Sequence, residues 1–193
     1  MVNRLLVVAL LLCSGGPALA QSQDEMALAR RLANEADRKN AISFVAASKT
    51  RTVPLLLSLT KMSVPGVDEH DLQVGLADAF GALKIREAIP FLLLNIDLRR
   101  WKYVDLKPWI KTAEAIEYQC PAVAALISIG PDSSIAAMRA SDQAMTPEDH
   151  LAIVFVVSRI RGVPEAKPFL SAIIGHADIE RSFAEEGIEN VIK

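Results

Sequence analysis

The chain of 193 residues contains only 2 cysteines, which excludes a small protein held together by disulfides. It also lacks an excess of charge of one sign, because 21 Lys and Arg face 23 Asp and Glu. A dedicated nucleic-acid binder would need surplus basic residues to replace counterions, so we expect no nucleic-acid partner. The hydrophobic fraction of 51% excludes a disordered polymer. These absences leave an ordinary folded chain of one domain.

Catalytic motifs are also missing. The sequence has no HExxH, no paired CxxC, no glycine-rich phosphate loop and no G-x-S-x-G elbow. His70, His150 and His176 do not stand at metal-ligand spacing, and Cys120 precedes Pro121 with no histidine near it in sequence. We therefore predict a non-enzymatic protein with no catalytic residues, no metal site and no cofactor.

Residues 1–20 have the composition of a signal peptide. Arg4 precedes a nine-residue apolar run, Leu5 to Cys13. The small residues Ala18 and Ala20 stand at the two positions that a signal peptidase reads. The run is too short to span a membrane, which takes about 20 apolar residues. We predict cleavage between Ala20 and Gln21, with export to the periplasm or the medium and no transmembrane helix in the mature chain. An uncleaved N-terminal anchor is the alternative.

Cys120 is the only cysteine of the mature chain. An exposed thiol is a liability in an oxidising compartment, so we predict that Cys120 is buried as a small apolar residue. An intermolecular disulfide is the alternative.

The remaining chain repeats itself. Residues 87–92 and 165–170 match at five of six positions and lie 78 residues apart, and weaker copies occur at 53–56 and 131–138. A period near 40 residues is typical of a helical solenoid, in which units stack to bury apolar faces that no unit can bury alone.

Each copy is predicted to contain two helices. One apolar stripe precedes residue 84, and a second one follows it; the stripes consist of Leu72, Leu76, Ala79, Phe80 and Leu83, then Ile89, Leu92, Leu93 and Ile96. Asp68 and Thr146 are predicted N-caps, and Pro147 is a predicted first helical residue. A proline is also expected in the first turn of each second helix, at Pro54, Pro90 and Pro168.

Two further stretches bear on the helical prediction. Residues 153–157 are apolar and β-branched, which favours a helix buried between two neighbours, with a buried β-strand as the alternative. Residues 22–50 have a polar start followed by a helical pattern, which would cap the repeats or begin the first one.

The segments 75–83, 87–92, 122–131 and 162–170 resemble the HEAT-repeat family, including the similar bacterial HEAT-like repeats. The resemblance covers about residues 40–176. It implies an all-α solenoid of about four helical hairpins, with residues 178–192 as a terminal capping helix. It also implies a role in protein–protein interaction, so we expect residues 21–193, exported by the predicted signal peptide, to act as a scaffold or adaptor.

A stretched connection at about 97–112 disturbs the period. It carries five basic residues against two acidic ones, and all four Trp and Tyr of the chain lie between 101 and 118. Such residues dominate binding hot spots. The candidate binding residues are Arg99, Arg100, Trp101, Lys102, Tyr103, Lys107 and Trp109.

Two roles are open for this connection. It could contact an acidic protein surface, or an anionic lipid headgroup or glycan of the envelope. Alternatively, it could fold back over the repeats as packing, with its Lys and Arg stems covering apolar surface.

Overall fold

The computed structural model describes residues 16–102, 113–141, 146–162, 164–166 and 168. These residues form helices and no strand, which confirms the all-α prediction for this part of the chain. A 3-10 turn at Arg86–Ala88 precedes α5. The α-helices are α1 (Gly16–Ala33), α2 (Glu35–Ala47), α3 (Lys49–Leu59), α4 (Glu69–Leu83), α5 (Ile89–Leu94), α6 (Ala113–Gln119), α7 (Pro121–Ile129), α8 (Pro131–Ala140) and α9 (Pro147–Arg161).

The N-terminal region is divided at Asn34. The helical pattern predicted within 22–50 is present, but Asn34 ends α1 and caps α2 by accepting a hydrogen bond from the Ala36 backbone N–H. Arg38 of α2 is buried and donates to the Leu32 carbonyl oxygen at 2.8 Å, which satisfies the end of α1. Three helices, α1 to α3, therefore precede α4. A single helical hairpin would have placed only two helices there.

The predicted place of Pro54 is wrong. Pro54 lies in the middle of α3 and not in its first turn, because the helix already begins at Lys49. The Thr52 hydroxyl donates to the carbonyl oxygens of Val45 and Ser48, which ties the start of α3 to the end of α2. Pro54 has no N–H to donate to the carbonyl of Thr50 four residues earlier, and both residues are exposed.

Helix α4 is the centre of the fold and packs against both α1 and α7. Asp68 caps it as predicted, by accepting the Asp71 backbone N–H at 3.2 Å. Two glycines permit the close approaches: a Cβ on Gly75 would collide with the Leu32 carbonyl, and one on Gly81 would lie 2.8 Å from the Ala125 Cα. The two neighbours of α4 therefore meet its backbone directly.

The connection after α4 leads into a short second helix. Pro90 lies in the first turn of α5 as predicted. The helix ends at Leu94, so Ile96, which was predicted to continue the stripe, lies in the following turn and is buried there. Helix α5 packs against α7 and α8, and Pro131 begins α8.

Helix α9 confirms the helical prediction for residues 153–157 over the strand alternative. Thr146 accepts the Asp149 backbone N–H at 3.2 Å, and the Asp149 carboxylate accepts the Thr146 N–H at 3.0 Å, which forms a capping box. The five apolar residues are all buried, and α9 packs against α7 and α8. Cys120 is buried as predicted, and this burial raises the pKa of its thiol.

Several predictions concern residues that the structure does not describe. The predicted capping helix at 178–192 lies outside the described residues, and so do most of residues 1–20. Helix α1 runs across the predicted cleavage position, which remains a prediction. Pro168 is described, but the residues on either side of it are not. No helix in the described ranges is long and apolar enough to cross a membrane.

Candidate functional site

Four of the seven candidate binding residues are described. Arg99, Arg100, Trp101 and Lys102 lie in the turn region that follows α5. The other three lie outside the described residues; they are Tyr103, Lys107 and Trp109. The described part of the candidate site is therefore residues 99–102 and whatever they contact.

Arg100 is tied into the body of the protein. Its Nη1 and Nη2 donate to the two carboxylate oxygens of Asp78 in α4, each at 2.9 Å. Its Nε donates to the Tyr118 carbonyl oxygen at 2.9 Å, and its backbone N–H donates to the Gln119 carbonyl oxygen at 2.8 Å. The hydrogen bonds to Asp78 raise the pKa of Arg100. A bidentate pair of this kind fixes both position and orientation.

Asp78 receives a second arginine. Arg38 Nη1 in α2 lies 3.4 Å from the Asp78 Oδ2, so one carboxylate joins α2, α4 and the 99–102 turn. The side chains of Arg38 and Arg100 are both largely buried. Because a buried charge needs a partner, Asp78 is what permits both cations to be there.

Lys102 makes a more exposed ion pair. Its Nζ donates to the Asp68 Oδ2 at 2.6 Å, across to the start of α4. This hydrogen bond is the main reason why the pKa of Asp68 lies below its ordinary value. The cations at positions 100 and 102 therefore face Asp78 and the N-cap Asp68 of α4, so two of the five basic residues of the stretched connection are paired within the chain.

Arg99 has a different environment. It is half-buried, and its positive charge lies close enough to the Cys120 thiol to oppose the rise in the pKa of that group. Its location is therefore the junction between the 99–102 turn and the start of α7.

Trp101 and Tyr118 form an exposed aromatic pair. Their ring centroids lie 5.8 Å apart at an interplanar angle of 70°, an edge-to-face contact. Trp101 is 43% exposed and Tyr118 is 52% exposed. The Arg100 guanidinium, which is paired with Asp78, lies 5.0 Å from the centroid of the Tyr118 ring. This cation–π contact helps to position the two rings. We call Trp101 and Tyr118 the aromatic pair.

Tyr118 was not among the residues predicted for the site, because it lies beyond the stretched connection, on α6. The sequence offered one indication of Tyr118, which is that the chain has only two tyrosines and both lie in or near the stretched connection. The structure brings it next to Trp101 because Arg100 donates hydrogen bonds to the carbonyl oxygens of Tyr118 and Gln119 at the end of α6.

One cluster has the residue types of a metal site. The ligand atoms of Asp68, His70 and Asp71 lie within 4.8 Å of one another. Each has another role already: Asp68 caps α4 and pairs with Lys102, and His70 Nδ1 lies 3.3 Å from the Asp71 Oδ1. Acidic residues at a helix start are expected from the helix dipole alone.

The chain matches no protein-family model, no curated protein and no solved structure at a significant level. The fold and the surface described above are therefore the basis for a functional proposal.

Proposed function

We propose that this chain is an exported, non-enzymatic interaction scaffold, built as a HEAT-like α-solenoid, and that the aromatic pair docks a protein partner. The packing order supports the solenoid. Helix α4 lies between α1 and α7, α9 packs beyond α7, and the second helices α5 and α8 contact each other. Helix α4 thus packs against helices three positions away along the chain, and the second helices pack against each other, which is the arrangement expected if two-helix units stack.

The exposure of the aromatic pair, together with the contacts that position it, carries the functional part of this proposal. Trp and Tyr supply large contact area at low entropic cost, and they are enriched in the centres of interfaces. Here the two rings contact each other, and Arg100 holds the backbone and the ring of Tyr118. A partner that covers the pair would not have to order it first, which favours affinity.

The ion pairs favour a protein partner over an anionic lipid. Lipid binding depends on basic side chains whose charge is free to attract the headgroups. Arg100 and Lys102 face Asp78 and Asp68, so their attraction for an external anion is reduced. Glycan stacking on Trp101 is the remaining alternative, and it predicts binding to a soluble oligosaccharide without any protein.

Site-specific photo-crosslinking tests the docking proposal. A photoreactive phenylalanine analogue replaces Tyr118 in cells that produce the protein, and a matched variant carries it at Phe44, an exposed aromatic on α2. We expect one discrete protein adduct from position 118 and none of that mass from position 44.

The lipid alternative is tested with the purified protein. Co-sedimentation with phosphatidylglycerol vesicles that Trp101→Ala abolishes would replace the proposal with lipid binding. A smear of adducts common to positions 118 and 44 would contradict a specific docking surface.

A further inference from the structure

Two arginines use one carboxylate, that of Asp78, in closely similar ways. Arg38 on α2 and Arg100 in the turn after α5 both place Nη1 against Asp78 Oδ2, at 3.4 and 2.9 Å. Arg38 donates through its Nε to the Leu32 carbonyl oxygen in the last turn of α1, at 2.8 Å. Arg100 donates through its Nε to the Tyr118 carbonyl oxygen in the last turn of α6, at 2.9 Å. One carboxylate therefore joins two helix ends, and the second of them carries a ring of the aromatic pair.

The charges of this cluster do not balance at Asp78 alone. Two guanidinium groups with largely buried side chains share one negative charge there. Glu35, three residues before Arg38 on α2, is a second carboxylate close to the cluster. The hydrogen bonds to Asp78 are the main cause of the raised pKa of Arg100, and the charge of Glu35 adds to the rise. Like charges repel strongly where water is largely excluded, so the place of Arg100 depends on these two carboxylates.

We infer that Asp78 is the positioning residue of the aromatic pair, and that it acts by holding Arg100 against the repulsion of Arg38. Arg38 belongs to a helix and also donates to the carbonyl oxygens of Leu32 and Ala33, whereas Arg100 lies in a turn. Without the charge of Asp78, the two guanidinium groups would face each other, and Arg100 would be the one to move.

A displaced Arg100 would release the aromatic pair. It would lose its hydrogen bond to the Tyr118 carbonyl oxygen and its contact with the Tyr118 ring, and Trp101 is the next residue in the chain. The edge-to-face contact between the two rings would then be lost. The inference rests on the docking role proposed above for this pair, but the geometry can be measured without any partner.

The ring protons of Tyr118 report that geometry. A Tyr103→Phe background leaves Tyr118 as the only tyrosine of the chain, and the neighbouring Trp101 ring shifts its proton signals. NMR of the full chain labelled with ¹³C-tyrosine measures the shift. Trp101→Leu in the same background gives the reference position of a Tyr118 ring without its neighbour.

We expect Asp78→Asn to move the Tyr118 signals at least halfway to the reference. Arg38→Met alone should leave them in place, because Arg100 keeps both oxygens of Asp78. Asp78→Asn combined with Arg38→Met should recover at least half of the lost shift, because the repulsion is removed together with the attraction. A merely structural role for Asp78 predicts instead that the two losses accumulate. Asp132→Asn, at an exposed ion pair elsewhere, is the control and should have no effect.

Two substitutions at exposed positions test the same charge balance without disturbing the core. Glu35→Lys places a cation beside Arg100 and should move the Tyr118 signals in the same direction as Asp78→Asn does. Asp37→Lys makes the same change of charge in the same first turn of α2 and should leave them in place. These two variants decide the question if the Asp78→Asn variants do not fold.

Three results would overturn the inference. They are unmoved Tyr118 signals in folded Asp78→Asn, a double variant shifted at least as far as Asp78→Asn, and equal effects of Glu35→Lys and Asp37→Lys. Docking is measured separately, as the yield of the discrete adduct from the photoreactive analogue at position 118.

We expect Asp78→Asn to lower that yield at least threefold, and an unchanged yield would also overturn the inference. If the otherwise unsubstituted chain gives no discrete adduct, the docking proposal fails, whereas the Tyr118 signals still decide whether Asp78 positions the pair.

Discussion

The Arg100 guanidinium holds both carboxylate oxygens of Asp78 at 2.9 Å, and this pair fastens the turn after α5 to the centre of α4. The same side chain supports the backbone and the ring of Tyr118. A residue that the sequence marked as a candidate for external binding is therefore an internal support. The aromatic pair that it supports is exposed on the surface, beside the exposed Lys102.

Arg100→Ala should destabilise the fold by about 1–3 kcal/mol, because it leaves the Asp78 carboxylate and the Tyr118 carbonyl without their main donors. Arg100→Lys should recover only part of this loss, since an ammonium group cannot make the bidentate contact. Urea denaturation measures both. Arg139→Ala is the matched control, and a loss as large as that of Arg100→Ala would contradict a specific role for Arg100.

Gly81→Ala should be destabilising although alanine is the better helix former. The added Cβ would lie 2.8 Å from the Ala125 Cα, and such overpacking costs typically about 1–3 kcal/mol, against a helix-propensity gain of about 1 kcal/mol. Ala82→Gly, at the exposed neighbouring position, should lose only about 0.5–1 kcal/mol. Thermal unfolding of the two variants compares them. A gain in stability from Gly81→Ala would show that α4 and α7 are not this close.

Lys84→Gly should stabilise the protein. Lys84 ends α4 in the left-handed region at a φ of 52°, where the Lys84 N–H donates to the Gly81 carbonyl and the Ile85 N–H donates to the Phe80 carbonyl. Glycine removes the steric cost of that conformation, so we expect a gain of about 0.5–1 kcal/mol. Lys84→Ala retains the cost and should change the free energy of unfolding little. Equal effects of the two substitutions would contradict the left-handed cap.

The Asp68–Lys102 ion pair should be visible in the titration of Asp68. Its pKa is lowered in the folded chain, so its contribution to stability is present above the unfolded pKa of about 3.9 and is lost as pH falls through the folded pKa. Lys102→Met should move the Asp68 pKa, measured by carboxyl ¹³C NMR, up toward its ordinary value. Lys61→Met, at an exposed lysine in the loop before α4, should leave it in place.

The helices were predictable where local signals are complete. Asp68, Thr146 and Pro147 mark helix starts by cap chemistry that acts within one turn, and the apolar run at 153–157 follows a strong cap. Pro54 misled because its place in the repeat suggested a helix start, while the actual start at Lys49 depends on hydrogen bonds from Thr52 to the end of α2. Such contacts between neighbouring helices leave little trace in a sequence pattern.

The site was predictable only in outline. Scarcity of Trp and Tyr drew attention to the part of the chain that carries the exposed aromatic pair, but the partners of Arg100 and Lys102 lie 22 and 34 residues away in sequence. Local charge alone could not show that Asp78 and Asp68 neutralise these cations. Tyr118 joins the site because Arg100 bonds to the end of α6, a contact that no local sequence pattern signals.

Trp101→Ala, measured for stability and for affinity toward the crosslinked partner in the same preparation, tests the docking role most directly. A half-exposed ring should cost about 1 kcal/mol of unfolding free energy when it is removed, whereas a core tryptophan costs about 3–5 kcal/mol. The account predicts the small stability loss together with at least a tenfold loss of partner affinity. A stability loss of core size with partner affinity retained would contradict it, and would assign the segment to packing alone.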